Sequence, residues 1–125
     1  MRYLLDTHAI LWYLEHSDEL SQRSGEIIDN PMNSIYVSAA SLWEVAIKIG
    51  LGKLNVPFHA LLRQVENAGF SVLQTKSAYF YELLDLDPIH KDPFDRLIIA
   101  TAIVEEMTLI TIDENIQKYD VPWIW

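Results

Sequence analysis

Apolar residues are spaced along this chain in two alternating rhythms. Short apolar runs of a few residues recur, and between them lie longer stretches in which apolar positions fall three or four apart. The first rhythm suits strands buried on both faces, and the second suits helices with one buried side. The predicted strands are Arg2–Leu5, Ile35–Ser38, Phe70–Leu73, Leu109–Thr111 and Val121–Ile124. The predicted helices are His8–Leu14, Ser21–Asp29, Ala40–Ile49, Phe58–Ala68, Lys76–Leu84, Pro93 to about Glu106, and the short Asn115–Tyr119.

Boundary residues support these assignments. Asn30-Pro31 ends the second helix, because a residue before proline avoids the α region. Leu42, Val45, Ala46 and Ile49 mark one face of the third, which Gly50 and Gly52 close. Pro57 and Gly69 bracket the fourth, and Thr75 is placed to cap the fifth. Asp85–Lys91 reads as a polar loop, after which Asp92-Pro93 gives a helix cap followed by proline at the first helical position. Alternating strands and helices imply an α/β fold, a parallel sheet with helices on both faces. No repeat, low-complexity tract or linker interrupts the chain, so residues 1–125 are expected to form one domain.

Ligands of such sheets bind beyond the carboxyl ends of the strands, where strand order reverses. Four acids fall there. Asp6 follows the first strand and Asp113 lies two residues past Thr111. Glu44 and Asp95 sit in the opening turns of helices. Each also has a structural reading. Asp6 can cap the first helix, and Asp113 the short one. Ser41 and Glu44 have capping-box spacing, and Glu44 stands four before Lys48. Asp92 and Asp95 can complement a helix dipole. Geometry alone leaves structure and metal binding open.

Composition narrows the function. Nine basic residues against eighteen acidic give a net charge of −9. That argues against a general nucleic-acid binder with a basic face, and fits a cation site or a basic protein partner. The chain has no cysteine, which excludes disulfides, thiolate metal sites and a cysteine nucleophile. No apolar stretch approaches the roughly 20 residues needed to cross a bilayer, so a soluble cytoplasmic protein is expected.

Four segments together carry a resemblance. Leu4-Leu5-Asp6-Thr7-His8-Ala9-Ile10-Leu11-Trp12 looks like the opening of bacterial PIN domains of the VapC toxin type. The segments Ser38–Lys48, His90–Ala100 and Leu109–Asp113 resemble the second, third and fourth blocks of that family, in family order. The resemblance implies a three-layer α/β/α PIN-like fold around a central parallel sheet of about five strands. It implies an endoribonuclease dependent on one or two Mg²⁺ or Mn²⁺ ions, a cognate antitoxin and a homodimer. Its acidic quartet falls on Asp6, Glu44, Asp95 and Asp113, with Asp6, Asp95 and Asp113 as principal ligands and Glu44 binding directly or through water. Thr111, Asp92 and Thr7 become candidates for supporting the ligands. His90, Lys91 and Arg96 form a small basic spot beside Asp95 and become candidates for RNA contact. Two rival readings stay beside this one. One is a PIN-like binding module with weak or no catalysis. The other is a phosphoryl-transfer domain, disfavoured because Asp6-Thr7-His8 offers no second acid.

Overall fold

The structure is a computed structural model that describes residues 1–125. Strands β1 (Arg2–Leu5), β2 (Ser34–Ser38), β3 (Ser71–Leu73), β4 (Thr108–Ile110) and β5 (Trp123–Ile124) form one sheet in the order β3-β2-β1-β4-β5. Every pairing is parallel, with Tyr3 opposite Ile35 on one side and Thr108 on the other. The helices are α1 (Thr7–Leu14), α2 (Gln22–Asp29), α3 (Ala39–Gly50), α4 (Phe58–Asn67), α5 (Ser77–Asp85), α6 (Pro93–Glu105) and α7 (Glu114–Gln117). None is long and apolar enough to cross a membrane.

Successive residues of a strand point to opposite faces, and β1 uses this to nucleate two cores. Tyr3 and Leu5 pack with Ile35, Val37, Ala9, Ile10, Ile28 and Val65 on the face covered by α1, α2 and α4. Leu4 packs with Leu109, Ile98, Ile99, Ala102 and Ile116 on the face covered by α6 and α7. Burying side chains such as Leu4 and Leu5 completely stabilises the fold by roughly 1.5–3 kcal/mol each. The result is three layers, with β1 at the centre of the middle one.

The structure shifts several boundaries. Helix α1 begins at Thr7 because Asp6 is itself the cap. Helix α3 begins at Ala39, capped by Ser38 Oγ, so β2 passes into it without a loop and Ser41–Glu44 is not a capping box. Lys76 rather than Thr75 holds the cap position of α5, without a side-chain bond. Gly50 stays helical; the left-handed turn that only glycine adopts freely falls at Gly52, φ 72°, and again at Gly69, φ 79°. Helix α7 stops at Gln117, leaving Tyr119 and Val121 as buried residues of the connection to β5.

Strand order runs outward from β1 in both directions, so the switch point lies between β1 and β4. The carboxyl ends of these two strands and the first turns of α1, α3, α6 and α7 meet there.

Candidate active site

The capping and functional readings of the acids turn out to be compatible, because a carboxylate has two oxygens. Asp6 Oδ1 caps α1 by accepting the backbone N–H of Ala9 at 2.8 Å. Its Oδ2 accepts the Thr111 hydroxyl at 2.5 Å. Asp113 Oδ1 caps α7, accepting from Asn115 and Ile116 N–H, while Oδ2 turns toward His90. Helix ends thus fix the direction of each acid and raise the local potential where the remaining oxygens gather. Asp92 caps α6 by accepting the N–H of Asp95 at 2.9 Å, which leaves the Asp95 carboxylate facing inward.

Three side chains tie the acids together. The Thr111 hydroxyl, fully buried, donates to Asp6 and accepts the backbone N–H of Asp113 at 3.0 Å. Thr7 Oγ1 donates to Glu44 Oε1 at 2.7 Å and stands 3.1 Å from Ser41 Oγ. Nε2 of His90 lies 2.9 Å from Asp95 Oδ2 and 3.4 Å from Asp113 Oδ2. Glu44 Oε2 forms the expected helix pair with Lys48 at 2.9 Å. Glu44 is therefore engaged at both oxygens, as Asp6 is.

Crowding leaves an electrostatic trace. Asp95 is pushed from 3.8 up to about 7, first by burial, then by the Asp92 and Glu44 carboxylates, with His90 pulling it partly back and Asp6 adding a smaller upward push. Burial also raises Asp6, against the Thr111 and Ala9 hydrogen bonds and the nearby His8, which lower it; Asp113 adds to the rise. Carboxylates that are costly to ionise together are what a bound cation relieves.

The basic spot divides. Lys91 is exposed. His90 faces the acids. Arg96 does not present its guanidinium for phosphate: its Nη1 donates to Asp87 O at 2.9 Å, His90 O at 3.2 Å and the Tyr119 hydroxyl at 3.1 Å, and Nη2 reaches Leu86 O. An arginine that donates to three backbone carbonyls positions this loop. It forms no ion pair with Asp92 either; only the helical backbone bond joins them. Tyr119, which sequence reading missed, completes the clamp by accepting the His90 N–H at 2.9 Å and donating to Asp87 O at 2.6 Å.

Aromatic side chains flank the carboxylates. Trp43 is exposed on α3 and meets Phe94 edge to face, with ring centres 5.1 Å apart. His8, also exposed, stacks on Trp12, which in turn meets Trp125.

The site suits a hard divalent ion. Its donors are carboxylate oxygens, which such ions prefer, and ligand atoms of His90, Asp95 and Asp113 lie within 4.8 Å of one another. The enclosed Nε2 of His90 has no hydrogen bond of good geometry, a sign that something further belongs among these groups.

The sequence matches the family model described as PIN domain over residues 3–122. It is 27% identical over 121 residues to Ribonuclease VapC22 of Mycobacterium tuberculosis, spanning 95% of this chain and 92% of that protein. Among solved structures, it resembles a chain of VapBC2 from Rickettsia felis bound to a promoter DNA fragment, with TM-score 0.74 and 18% identity over 100% of this chain and 99% of that one. A chain of VapBC-1 from nontypeable Haemophilus influenzae gives TM-score 0.66 and 20% identity over 99% and 97%.

Proposed function

This chain belongs to the PIN domain family, as a nuclease of the VapC kind, and from that premise we propose that it is an endoribonuclease dependent on Mg²⁺ or Mn²⁺ and the toxin of a toxin–antitoxin pair. The observation that carries the reading is the convergence of Asp6, Glu44, Asp95 and Asp113 on one sheet edge, each held by a named partner.

In this reading Asp6, Asp95 and Asp113 are the principal ligands of one or two ions. Asp6 and Asp113 arrive oriented, since one oxygen of each is fixed by a helix end, and Thr111 couples the two. Glu44 is shared with Thr7 and Lys48 and acts through them or through water. Asp92 keeps Asp95 in the first turn of α6. A divalent ion held by these carboxylates would supply a water of lowered pKa and positive charge for the phosphodiester and the departing oxygen. Among the candidates for RNA contact, Lys91 is free for that role.

Partners follow from the surface. With a net charge of −9 the chain draws little affinity from phosphates, while an antitoxin carrying a basic segment is electrostatically complementary. Large apolar side chains stand exposed, among them Trp43, Leu51, Phe80, Tyr81 and Leu84, which suits an antitoxin and self-association as a homodimer. We place this activity in the cytoplasm, within one domain of residues 1–125.

The test is RNA cleavage by wild type and Asp6→Asn in Mn²⁺, with EDTA controls. Wild type alone is expected to cleave, and EDTA to stop it. Cleavage that persists in Asp6→Asn or ignores EDTA overturns the proposal. Sequencing of RNA ends after pulsed expression then identifies the target.

A further inference from the structure

His90 sits where a metal ligand would sit, but its two ring nitrogens say otherwise. Nε2 lies within ion-pair range of Asp95 Oδ2 and Asp113 Oδ2, at 2.9 and 3.4 Å. The side chain is 12% exposed and Nε2 itself is fully enclosed. The other nitrogen, Nδ1, accepts the backbone N–H of Asp92 at 3.3 Å. A nitrogen that accepts carries no proton, so in the neutral ring the proton resides on Nε2. A histidine that binds metal through Nε2 has the reverse arrangement: it keeps its proton on Nδ1 and donates it to a carboxylate or carbonyl. Here Nδ1 faces a donor, the backbone N–H of Asp92.

The backbone around the ring is fixed as well. The His90 N–H donates to the Tyr119 hydroxyl and the His90 carbonyl accepts from Arg96, so both sides of the residue are anchored to α6 and to the segment before β5.

We propose that His90 is a positioning residue of this metal site and not one of its ligands. Its Nε2 stands between the Oδ2 atoms of Asp95 and Asp113, within ion-pair range of both and in a well-formed hydrogen bond with neither, and so spaces them. Each oxygen keeps a lone pair for a cation. A ring nitrogen placed between two carboxylates holds them apart and leaves their other faces open to an ion. The proposal rests on the metal-nuclease reading above and adds to it the division between what binds the ion and what shapes its seat.

Pulsed EPR of Mn²⁺ bound to protein labelled with ¹⁵N-histidine tests it, together with Mn²⁺ titrations of wild type, His90→Ala and His90→Gln. No histidine nitrogen is expected to couple as a direct ligand. His90→Ala is expected to weaken Mn²⁺ binding by about tenfold or more, the scale of lost outer contacts to metal ligands. His90→Gln is expected to stay within about threefold of wild type, because its amide N–H replaces the donor while its nitrogen cannot ligate. A strongly coupled ¹⁵N overturns the proposal, as does His90→Ala with wild-type affinity or His90→Gln as weak as His90→Ala. If His90→Ala does not fold, as judged by circular dichroism, the spectrum of wild type and the affinity of His90→Gln still decide. Failure of wild type to bind Mn²⁺ at millimolar concentration is a different result, since it removes the metal site itself.

Discussion

Thr111 and Asp6 stand 105 residues apart in sequence and share a hydrogen bond of 2.5 Å at the carboxyl ends of β4 and β1. Both are almost fully buried. The hydroxyl answers an oxygen of a carboxylate only 3% exposed, and it does so only when the two central strands are in register. Thr111→Val keeps the shape and removes the donor. It is expected to cost about 1–3 kcal/mol in urea unfolding, the penalty for a buried acceptor left unpaired. Thr111→Ser is expected to recover most of that loss, which separates the hydrogen bond from the packing of the methyl group.

Asp95 predicts a pH dependence whose sign reverses when metal is added. Its folded pKa is raised from 3.8 to about 7, so the native state holds this proton more tightly than the unfolded chain does. The contribution of this group to metal-free stability therefore falls as pH rises from about 4 to about 7, and is flat above. A cation needs the ionised carboxylate, so its stabilising effect grows over the same window. Mn²⁺ at about one hundred times its Kd adds about 2.7 kcal/mol. Differential scanning fluorimetry in EDTA and in Mn²⁺, at pH 5.5 and pH 8, is expected to show a larger metal-induced rise in Tm at pH 8. Asp95→Asn is expected to raise Tm in EDTA at pH 8 and to abolish the response to Mn²⁺.

The clamp on the loop before α6 is expected to be visible by hydrogen exchange. Tyr119→Phe deletes one hydroxyl that accepts from the His90 N–H and from Arg96 and donates to Asp87 O. The His90 amide is expected to exchange about tenfold faster or more, equivalent to losing about 1.4 kcal/mol of local protection, while amides in β1 are unchanged. Unaltered exchange at His90 would show that the loop holds itself.

Glu44 and Asp6 are expected to differ in degree. Asp6→Asn removes a principal ligand, and cleavage is expected to fall below detection. Glu44→Gln keeps the contact with Thr7 and loses the charge facing Lys48. Its cleavage rate in Mn²⁺ is expected to drop by about 10- to 100-fold, as for a group acting through the ligand shell. Equal losses in the two variants would assign Glu44 to direct coordination.

The order of elements and the sheet edge that gathers the acids were legible in the sequence because they depend on local signals. Unbroken apolar runs mark strands covered on both faces, and Asp92-Pro93 marks a helix start whatever the rest of the chain does. What was illegible depends on distant partners or on caps nearly equivalent in sequence. Ser38 and Ser41 can both cap; only the direct passage of β2 into α3 selects Ser38. Arg96 looked like a phosphate ligand beside Asp95, and only the return of Tyr119 from beyond α7 shows it turned toward loop carbonyls. Asp6, Asp92 and Asp113 do serve as helix caps, and that service aims Asp6 and Asp113 at the site and holds the backbone of Asp95 in place.

The position of β1 between β2 and β4 also sets a timetable. Synthesis delivers Asp6, Glu44 and Asp95 before β4 exists, and β1 passes that interval with one edge open and Asp6 without Thr111. Such distant pairing is a late event in folding. A nascent chain that has emerged only as far as α6 therefore lacks Asp113 and the Thr111 bond to Asp6. The cluster of acids is thus a property of the assembled sheet and of no shorter segment.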